Sequence, residues 1–424
     1  MKKILILYPH FPPSNLAGVH RPRLFAQHLP AFGWEPVILT VHESYYEEAP
    51  DWNLVKLLPP NLRIEKVKAF AITKPRLIGD IGLRAFWQLY KKAKQMIRQE
   101  GFDFLYIPIP SFYSALLGRM LHRKTGIKYG IDYIDPWVHD FPGSNKILSR
   151  HWWSKKLANL LEPIAVKKAS LITGVAQGYY TAVLERNPHL KQQAVVGAMP
   201  YGGEEADHQL IKSLQLKPYL FAKETGVFKL VYAGAMLPKA YTVLETVCRS
   251  LASIETGNST IQFHFIGTGK TPDDPEGYNI KAIAERYGLW QTIVFEYPRR
   301  IPYLDVLVHL QEADGIFIMG STEPHYTPSK SYQGILSGKP ILALLHAQST
   351  AVEALKNSNA AHVLHFNAEA DLKHIENSFP AALKAYLHWS AHFQSSQVNK
   401  EAFRPYSAKA VTGKLAELLD AATG

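Results

Sequence analysis

The sequence predicts an α/β protein of two domains, each built around a parallel β-sheet. Short apolar runs alternate with longer helical patterns almost throughout the chain, as in proteins made of βαβ units. The length of 424 residues suits two domains of about 200 residues each. The composition, 47% hydrophobic and 20% charged, is typical of an ordinary globular protein.

Strand patterns occur in two series along the chain. The first series predicts strands at residues 3–8, 36–40, 63–70, 104–109, 129–134, 171–175 and 194–198. The second predicts strands at residues 229–234, 261–267, 293–297, 315–320, 341–345 and 362–366. Helical patterns follow the last strand at about 371–387 and 407–420, and the second of these is amphipathic.

The segment 204–228 separates the two series. It is rich in glycine, proline and charge and lacks a strand pattern, so we predict an interdomain linker there. The predicted domains are then residues 1–203 and 229–400, followed by a last segment at 401–424. Ligands bind at the carboxyl ends of strands in open parallel sheets, so two such sheets facing each other predict a cleft.

The net charge indicates which partners the protein favours, and the cysteine content indicates its cellular compartment. The formal net charge of +11 favours anionic partners, but no zinc-finger spacing, RNP motif or basic region joined to heptads points to nucleic acid. The single cysteine, Cys248, lies in an apolar pattern and can form no internal disulfide, which favours a reducing cytoplasm. No stretch approaches the roughly 20 apolar residues that cross a bilayer, so any membrane contact is expected to be peripheral.

The stretch TPSKSYQGILSGKP at 327–340 is typical of a phosphate-binding helix. Thr327 is a predicted N-cap, Pro328 suits the first helical position, and Gly338 is predicted to end the helix. The free amides at the start of the helix and the charge of Lys330 favour an anion such as a diphosphate. Gln333 lies four residues after Ser329 and therefore on the same helix face, about 6 Å further along the axis. This distance suits a phosphate bound near Ser329 and its ribose near Gln333. The alternative is a capped surface helix whose lysine and glutamine face water.

Loops after two other strands carry further candidates. PHFPPSNLAGVHRPRL follows the first strand, where Gly18 permits close backbone approach and Arg21 can meet negative charge. AGAMLPKAY follows strand 229–234 and places Lys239 near a helix start.

These residues together resemble the GT-B glycosyltransferases, in particular the family 4 enzymes of bacterial polysaccharide and glycolipid synthesis. Residues 8–40 resemble the family's opening strand, glycine-containing loop, helix and second strand. DYIDPWVHDF at 132–141 resembles an Asp-Pro-Trp segment of one subgroup, and TPSKSYQGILSGKPILAL at 327–344 resembles that subgroup's Pro-Ser-Lys helix. The GTG at 267–269 is compatible with the family.

The resemblance implies two facing Rossmann-like domains, with the donor held by the C-terminal domain and the acceptor by the N-terminal one. It also implies that the final helix, within 401–424, packs back on the N-terminal domain. Transfer would retain the anomeric configuration. It would need no metal or other cofactor, because helix N-termini and basic side chains neutralise the phosphates.

Carried over to this sequence, the resemblance implies three groups of site residues. The donor-binding group consists of Gly18, Lys239, Gly267, Ser329, Lys330 and Gln333. The acceptor-binding group consists of His20, Arg21, Trp137 and His139, with Asp140 adjacent. The catalytic candidates are Asp135, Glu323 and His325.

The sequence departs from the family at two glutamates eight positions apart, which here are His325 and Gln333. Exchanging a charged for a neutral hydrogen bond loses on the order of 1 kcal/mol, so weaker donor binding is expected rather than its abolition. Glu323 and His325 are alternative contacts of the transferred sugar. Asp135 is expected to act as an acid or base for the acceptor; the alternative is that it only caps the next turn. The leaving phosphate can also take the acceptor's proton, in which case no separate general base is needed.

Two segments in the N-terminal half, 74–99 and 144–170, combine basic and aromatic residues. Such helices can lie in an anionic membrane interface, which would place the protein on the inner face of the plasma membrane. The alternative is that they pack on the sheet and expose an ordinary basic face.

The resulting hypothesis is a retaining, metal-independent glycosyltransferase that moves a sugar from a nucleotide-diphosphate donor to a saccharide or lipid-linked acceptor in cell-surface glycan synthesis. One alternative is a catalytically degraded subunit that binds nucleotide sugar as a scaffold in a glycan assembly complex. Another is a GT-B nucleotide-sugar epimerase.

Overall fold

The structure is a computed structural model that describes residues 1–73, 78–139, 144, 146–254, 260–269, 271 and 273–424. Asp140 and parts of the two basic segments lie outside these residues. The predicted fold class is confirmed: the chain is α/β, with two parallel sheets. It divides into unit 1, Met1–Tyr201 with Ala408–Gly424, and unit 2, Gly202–Ser407.

Unit 1 contains a seven-stranded parallel sheet, as far as its residues are described, in the order β3-β2-β1-β4-β5-β6-β7. Its strands are β1 Lys2–Leu7, β2 Trp34–Val41, β3 Arg63–Val67, β4 Phe104–Ile109, β5 Lys128–Tyr133, β6 Leu171–Gly174 and β7 Val195–Ala198. Its helices before the second unit are α1 His20–His28, α2 Ile81–Arg84, α3 Phe86–Glu100, α4 Ala115–Thr125, α5 Arg150–Val166, α6 Thr181–Arg186 and α7 Leu190–Gln193.

Each predicted strand of the first series is present, within a few residues of its expected bounds. The largest difference is at β3, which was predicted to reach residue 70 and ends at Val67. Beyond β3 the chain leaves the sheet, because the Phe70 N–H donates to the Arg84 carbonyl and the Arg84 guanidinium donates to the Phe70 carbonyl.

Both faces of this sheet are covered, as expected for parallel strands. Leu5 and Leu7 of β1 pack into an apolar cluster with α3, α4 and α5. Ile4 and Ile6, which alternate with them, pack into a second cluster on the opposite face.

Unit 2 contains a six-stranded parallel sheet within its described residues, in the order β10-β9-β8-β11-β12-β13. Its strands are β8 Val227–Ala233, β9 Thr260–Ile266, β10 Val294–Tyr297, β11 Gly315–Met319, β12 Ile341–His346 and β13 Ala361–Phe366. Its helices are α8 Glu205–Ser213, α9 Tyr241–Ala252, α10 Lys281–Arg286, α11 Tyr303–Glu312, α12 Lys330–Leu336, α13 Thr350–Asn357, α14 Leu372–Ser390 and α15 Lys400–Phe403.

The segment 204–228 contains helix α8, which packs against α11 inside unit 2. Cys248 is buried in α9, and burial raises the pKa of its thiol to about 12. This is the environment of a core thiol.

The last helix, α16 Ala408–Thr423, belongs to unit 1 and packs against α1. Val411, Leu415 and Leu419 are buried in the same cluster as Ile4 and Ile6. The chain therefore leaves unit 1, forms unit 2 and returns to complete the core of unit 1. Among the described residues, no helix combines the length and apolar character that crossing a bilayer requires.

In each sheet the strand order reverses at one point, between β1 and β4 in unit 1 and between β8 and β11 in unit 2. Ligands of open parallel sheets bind outside the carboxyl ends of the strands at such a point. The loops after these four strands therefore define the two places where site residues are expected.

Candidate functional site

The loops after β8 and β11 are joined at the reversal point of unit 2. The Thr322 N–H donates to the Lys239 carbonyl at 3.2 Å. The side chains of Lys239 and Glu323 also meet, with Nζ 3.5 Å from Oε1, and Lys239 keeps about half of its side chain exposed. Two residues that were predicted separately, one for phosphate and one for sugar, thus form one ion pair at the place that the topology favours.

Helix α12 begins at Lys330, three residues after the predicted N-cap. The prediction for Thr327 was wrong because its hydroxyl is used elsewhere, in hydrogen bonds with the His325 carbonyl and the Thr350 hydroxyl. Ser329 occupies the N-cap position, is half-buried and makes no side-chain cap. The predicted end is confirmed: Gly338 follows the helix with a φ of 70°, in the left-handed region.

The ammonium group of Lys330 lies over the ring of Tyr303, 5.3 Å from its centroid. Tyr303 in turn donates a hydrogen bond from its hydroxyl to Asp207, at 2.9 Å. Burial, and then the nearby charge of Arg300, lower the pKa of Lys330 to about 8. Lys330 forms no ion pair with any residue that the structure describes, so an anion beside it would find a poorly solvated positive charge.

Gln333 is buried on α12, with 6% of its surface exposed, and does not face water. Its Oε1 lies 2.9 Å from Nε2 of His208 on α8, and Nδ1 of His208 lies 2.9 Å from Nε2 of Gln311 on α11. Nε2 of Gln311 can only donate, so Nδ1 of His208 accepts from it, the His208 Nε2–H donates to Gln333, and the imidazole is neutral. Burial lowers the pKa of His208, which agrees with this form.

The loop after β9 is a tight turn that packs on the segment after β10. Gly267 has a φ of 71°, and its N–H donates to the Tyr297 carbonyl at 2.8 Å. That amide is therefore occupied, which removes the simplest way in which Gly267 could bind a phosphate. A Cβ at Gly269 would lie 2.6 Å from the Pro298 carbonyl oxygen, so this glycine allows the close approach of two chain segments.

His325 and Tyr326 shape the rest of the loop before α12. His325 is half-buried, and the Tyr326 N–H donates to the Glu323 carbonyl at 3.2 Å. Glu323 and His325 thus lie on one short turn of the same loop.

In unit 1 the loop after β1 passes over Tyr8. A Cβ at Gly18 would collide with the Tyr8 hydroxyl, so glycine is needed here for a packing reason. His20, the first residue of α1, is half-buried.

Arg21 does not lie where an acceptor can reach it, and its predicted role requires correction. It is 1% exposed, and its guanidinium makes a bidentate ion pair with Asp132 of β5, at 2.5 and 2.9 Å. It also donates to the carbonyls of Met199 and Pro200. Arg21 therefore joins α1 to the sheet as a buried structural pair.

The prediction for Trp137 also requires correction. Its indole is 6% exposed and stacks on Phe112, with ring centroids 5.9 Å apart. Trp137 belongs to the apolar core of unit 1 rather than to an open surface that a sugar could stack on. His139, two residues later, is half-buried.

Asp135 follows β5 and is exposed. Burial, and then the negative charge of Asp135, raise the pKa values of Tyr8 and Tyr201. Asp135 therefore lies close to the loop after β1, as expected for residues at the carboxyl edge of one sheet.

His10, in the same loop, is a candidate that the sequence reasoning missed. Its Nδ1 lies 3.0 Å from Glu48, and the Ser14 hydroxyl donates to the same carboxylate. Burial would raise the pKa of Glu48, but the hydrogen bond and charge of His10 and the hydrogen bond from Ser14 outweigh it and lower the pKa to about 2. Glu48 is thus a stable anion that orients the imidazole, and Nε2 of His10 makes no hydrogen bond with any described residue.

Position alone could have indicated His10, because it follows the first strand by three residues in YPHFPP. Its carboxylate partner lies 38 residues away in a loop after β2, which sequence spacing does not reveal.

Comparison with solved structures extends over the whole chain. Sucrose-phosphate synthase from Thermosynechococcus elongatus matches with a TM-score of 0.66 and 14% identity, covering 99% of each chain. HepE from Anabaena, in complex with UDP and glucose, matches with a TM-score of 0.63 and 15% identity, covering 99% of this chain and 100% of that one.

A UDP-forming trehalose-phosphate synthase from Burkholderia xenovorans matches with a TM-score of 0.62 and 12% identity, covering 99% of each chain. No protein-family model matches the sequence, and neither does any curated protein. At these identities the likeness concerns the fold, and the protein has the GT-B fold of glycosyltransferases.

Proposed function

We propose that the protein transfers a glycosyl group from a nucleotide-diphosphate sugar to a saccharide or lipid-linked acceptor. The observation that carries the proposal is the ion pair of Lys239 and Glu323 at the reversal point of unit 2, where the loop after β11 leads into α12 and its poorly solvated lysine, Lys330. The solved structures of HepE with UDP and with UDP-glucose show that a protein of this fold binds such a donor. We further propose retention of configuration, independence of metal ions, and a role in glycan synthesis at the cytoplasmic side of the cell envelope.

In this proposal unit 2 binds the donor. The charges of Lys239 and Lys330 lie against the diphosphate and stabilise the negative charge that grows on it as the bond to the sugar breaks. Glu323 then exchanges its contact with Lys239 for a hydroxyl of the sugar, and Gln333 hydrogen-bonds the ribose through its amide. In the reaction the sugar C1–O bond to the phosphate breaks, the bond from C1 to the acceptor oxygen forms, and the acceptor proton passes to the leaving phosphate.

Unit 1 is proposed to bind the acceptor. Its loop after β1 presents Nε2 of His10, which Glu48 orients, and Asp135 lies at the same sheet edge. We assign His10 to positioning the acceptor hydroxyl. A His10→Gln variant should raise the KM for acceptor while donor binding stays unchanged, and unchanged acceptor kinetics would remove His10 from the site.

The test of the proposal is a panel of nucleotide sugars screened for thermal stabilisation, because a ligand of the native state raises apparent stability by mass action. The donor identified in this way is then incubated with candidate acceptors, and nucleotide release is measured. Lys330→Ala should weaken donor binding about tenfold or more. Lys373→Ala is the matched control, since Lys373 is a highly exposed lysine of unit 2 on α14. If no nucleotide sugar binds, the proposal is wrong.

One alternative has a specific observation in its favour. The glutamates that the family carries at positions 325 and 333 are replaced by His325 and Gln333, which favours a subunit that binds nucleotide sugar without transferring it. Donor binding without turnover on any acceptor would support this alternative. Isomerised donor in the absence of acceptor would instead indicate an epimerase.

A further inference from the structure

Helix α5 in unit 1 carries an exposed apolar stripe. Trp153, Leu157, Leu160 and Ile164 are 57%, 40%, 64% and 49% exposed. At 100° per residue these four side chains fall within an arc of about 60° on the helix. Two further apolar side chains, Ile147 and Leu148, are exposed immediately before the helix. Scattered exposed apolar residues are normal, but a continuous stripe indicates an interaction surface.

The stripe lies opposite the face that α5 buries. Ala158, Glu162 and Ala165 face the core of unit 1, and Glu162 is held by Arg186 of α6 at 2.7 Å. The helix therefore has its own packing partner on one side, and the apolar side chains on the other side are not explained by the fold.

Basic residues border the stripe. The segment 144–170 contains six lysines and arginines and a single acidic residue, the buried Glu162. Arg150, Lys156 and Lys167 project from α5 and its C-cap beside the apolar side chains, by the same helical geometry. An open pocket of about 540 Å³ is lined by Trp152, Lys155 and Lys156 among others, so part of the basic surface of α5 is recessed.

An exposed apolar stripe bordered by basic residues favours one class of partner, an anionic membrane surface. Two copies of the chain meeting face to face through α5 would bring these positive charges together, which is unfavourable. An anionic bilayer meets both requirements, because its interface accepts Trp and Leu side chains and its phosphates attract the bordering lysines and arginines.

We propose that α5 docks the protein on an anionic membrane surface, with the stripe in the interface and the basic residues on lipid phosphates. The second basic segment does not share this design. Helix α3, which is described in full, exposes one large apolar side chain, Trp87. The structure therefore assigns docking to α5 rather than to α3. This inference does not rest on the proposed transferase activity.

The experiment measures co-sedimentation of the full-length protein with vesicles. Phosphatidylcholine vesicles are compared with vesicles that also contain phosphatidylglycerol. We expect binding to the anionic vesicles only, and weaker binding as salt is raised. The double variant Leu160→Gln, Ile164→Gln should lose at least about tenfold in binding. Lys156→Gln and Lys167→Gln should each lose about fivefold.

Trp87→Gln is the matched control, an exposed tryptophan of the other basic segment, and should bind as the parent does. Thermal unfolding of every variant should match that of the parent, since the changed side chains are exposed. The proposal is overturned if the parent protein does not bind anionic vesicles or if the double variant binds them as well as the parent does. It is also overturned if Trp87→Gln loses as much vesicle binding as the double variant. A parent dimer that the double variant converts to a monomer without vesicles would identify a second copy as the partner and also overturn it.

Discussion

The orientation of Gln333 is set by a residue of another helix. Because the His208 Nε2–H occupies its Oε1, the amide nitrogen is the part of Gln333 that remains for a ligand. A ribose hydroxyl would therefore act as the acceptor of a hydrogen bond here. A glutamate at the same position would accept from the hydroxyl instead.

Replacing Gln333 by Glu should raise the pKa of His208, because a carboxylate beside the imidazole favours its charged form. A raised folded-state pKa contributes stability at low pH that is lost as the pH rises through that value. We expect donor binding to be preserved or tightened. The measurement is an NMR titration of the His208 ring protons together with the donor affinity of the variant.

The companion variant is His208→Phe, which leaves the buried Oε1 of Gln333 without its donor. It should lower the free energy of unfolding by about 1 to 3 kcal/mol and also weaken donor binding. An unchanged donor affinity in both variants would show that Gln333 does not contact the donor.

At the scale of elements, one carboxylate organises the loop between β9 and α10. Glu296, buried on β10, accepts hydrogen bonds from the Thr268 hydroxyl and from the N–H groups of Asn279, Ile280 and Lys281. It thereby satisfies the first amides of α10 and holds the turn that contains Gly267.

Glu296→Ala should lower the free energy of unfolding of unit 2 by about 2 to 4 kcal/mol, because it leaves several buried donors unsatisfied. Glu296→Gln keeps an acceptor oxygen and should cost less. Urea unfolding followed by circular dichroism measures both variants. Equal losses in the two would show that the charge, and not the number of acceptors, matters.

The start of α12 shows what local patterns miss at this scale. The Thr-Pro-Ser-Lys signature predicted a cap at Thr327, yet the hydroxyl of Thr327 bonds to Thr350 of the following helix. A side chain caps a helix only if it points at the free amides, and here the hydrogen bond to α13 directs the Thr327 hydroxyl away from them.

At the scale of the whole molecule, the return of α16 makes unit 1 depend on the last residues of the chain. Leu415 is fully buried in the cluster that includes Phe25 of α1. Leu415→Ala should cost about 2 to 5 kcal/mol in the stability of unit 1, by loss of transfer free energy and creation of a cavity.

Leu355→Ala, a fully buried leucine of α13 in unit 2, is the matched control for Leu415→Ala. Hydrogen exchange resolved by unit measures the effect, since each variant should weaken protection mainly in its own unit. Protection lost from unit 2 in the Leu415 variant would contradict the division of the chain.

Stability should also depend on pH through His264, which is buried and stacks on Phe295 and Tyr297. Burial, and then the charge of Lys229, lower the pKa of His264 to about 4. The unfolded chain binds this proton near pH 6.5, so stability is present above that pH and is lost as the pH falls towards 4.

The loss from His264 amounts to about 3 kcal/mol across this window. His264→Phe should remove this pH-dependent loss of stability. The difference in unfolding free energy between parent and variant should therefore change between pH 7.5 and pH 4.5, and urea titrations at both pH values measure it. A constant difference would show that His264 is not buried in its neutral form.

The sequence alone determined the order of the strands along the chain, the identity of the last helix as an amphipathic segment, and the helix end at Gly338. These follow from local causes, namely apolar periodicity and the freedom of glycine to take positive φ. The positions of Lys239 and Glu323 after strand ends and of Lys330 at a helix start were predicted from the same patterns, and the topology brings the loops that carry Lys239 and Glu323 together.

Only the tertiary structure decided which polar groups remain available to a ligand. The Arg21 guanidinium pairs with Asp132, and the Gly267 N–H donates to the Tyr297 carbonyl. The side-chain Oε1 of Gln333 accepts from His208. His10 acquires its carboxylate from Glu48. Each of these partners lies far away in sequence, and a polar group is free or occupied according to what folding brings beside it.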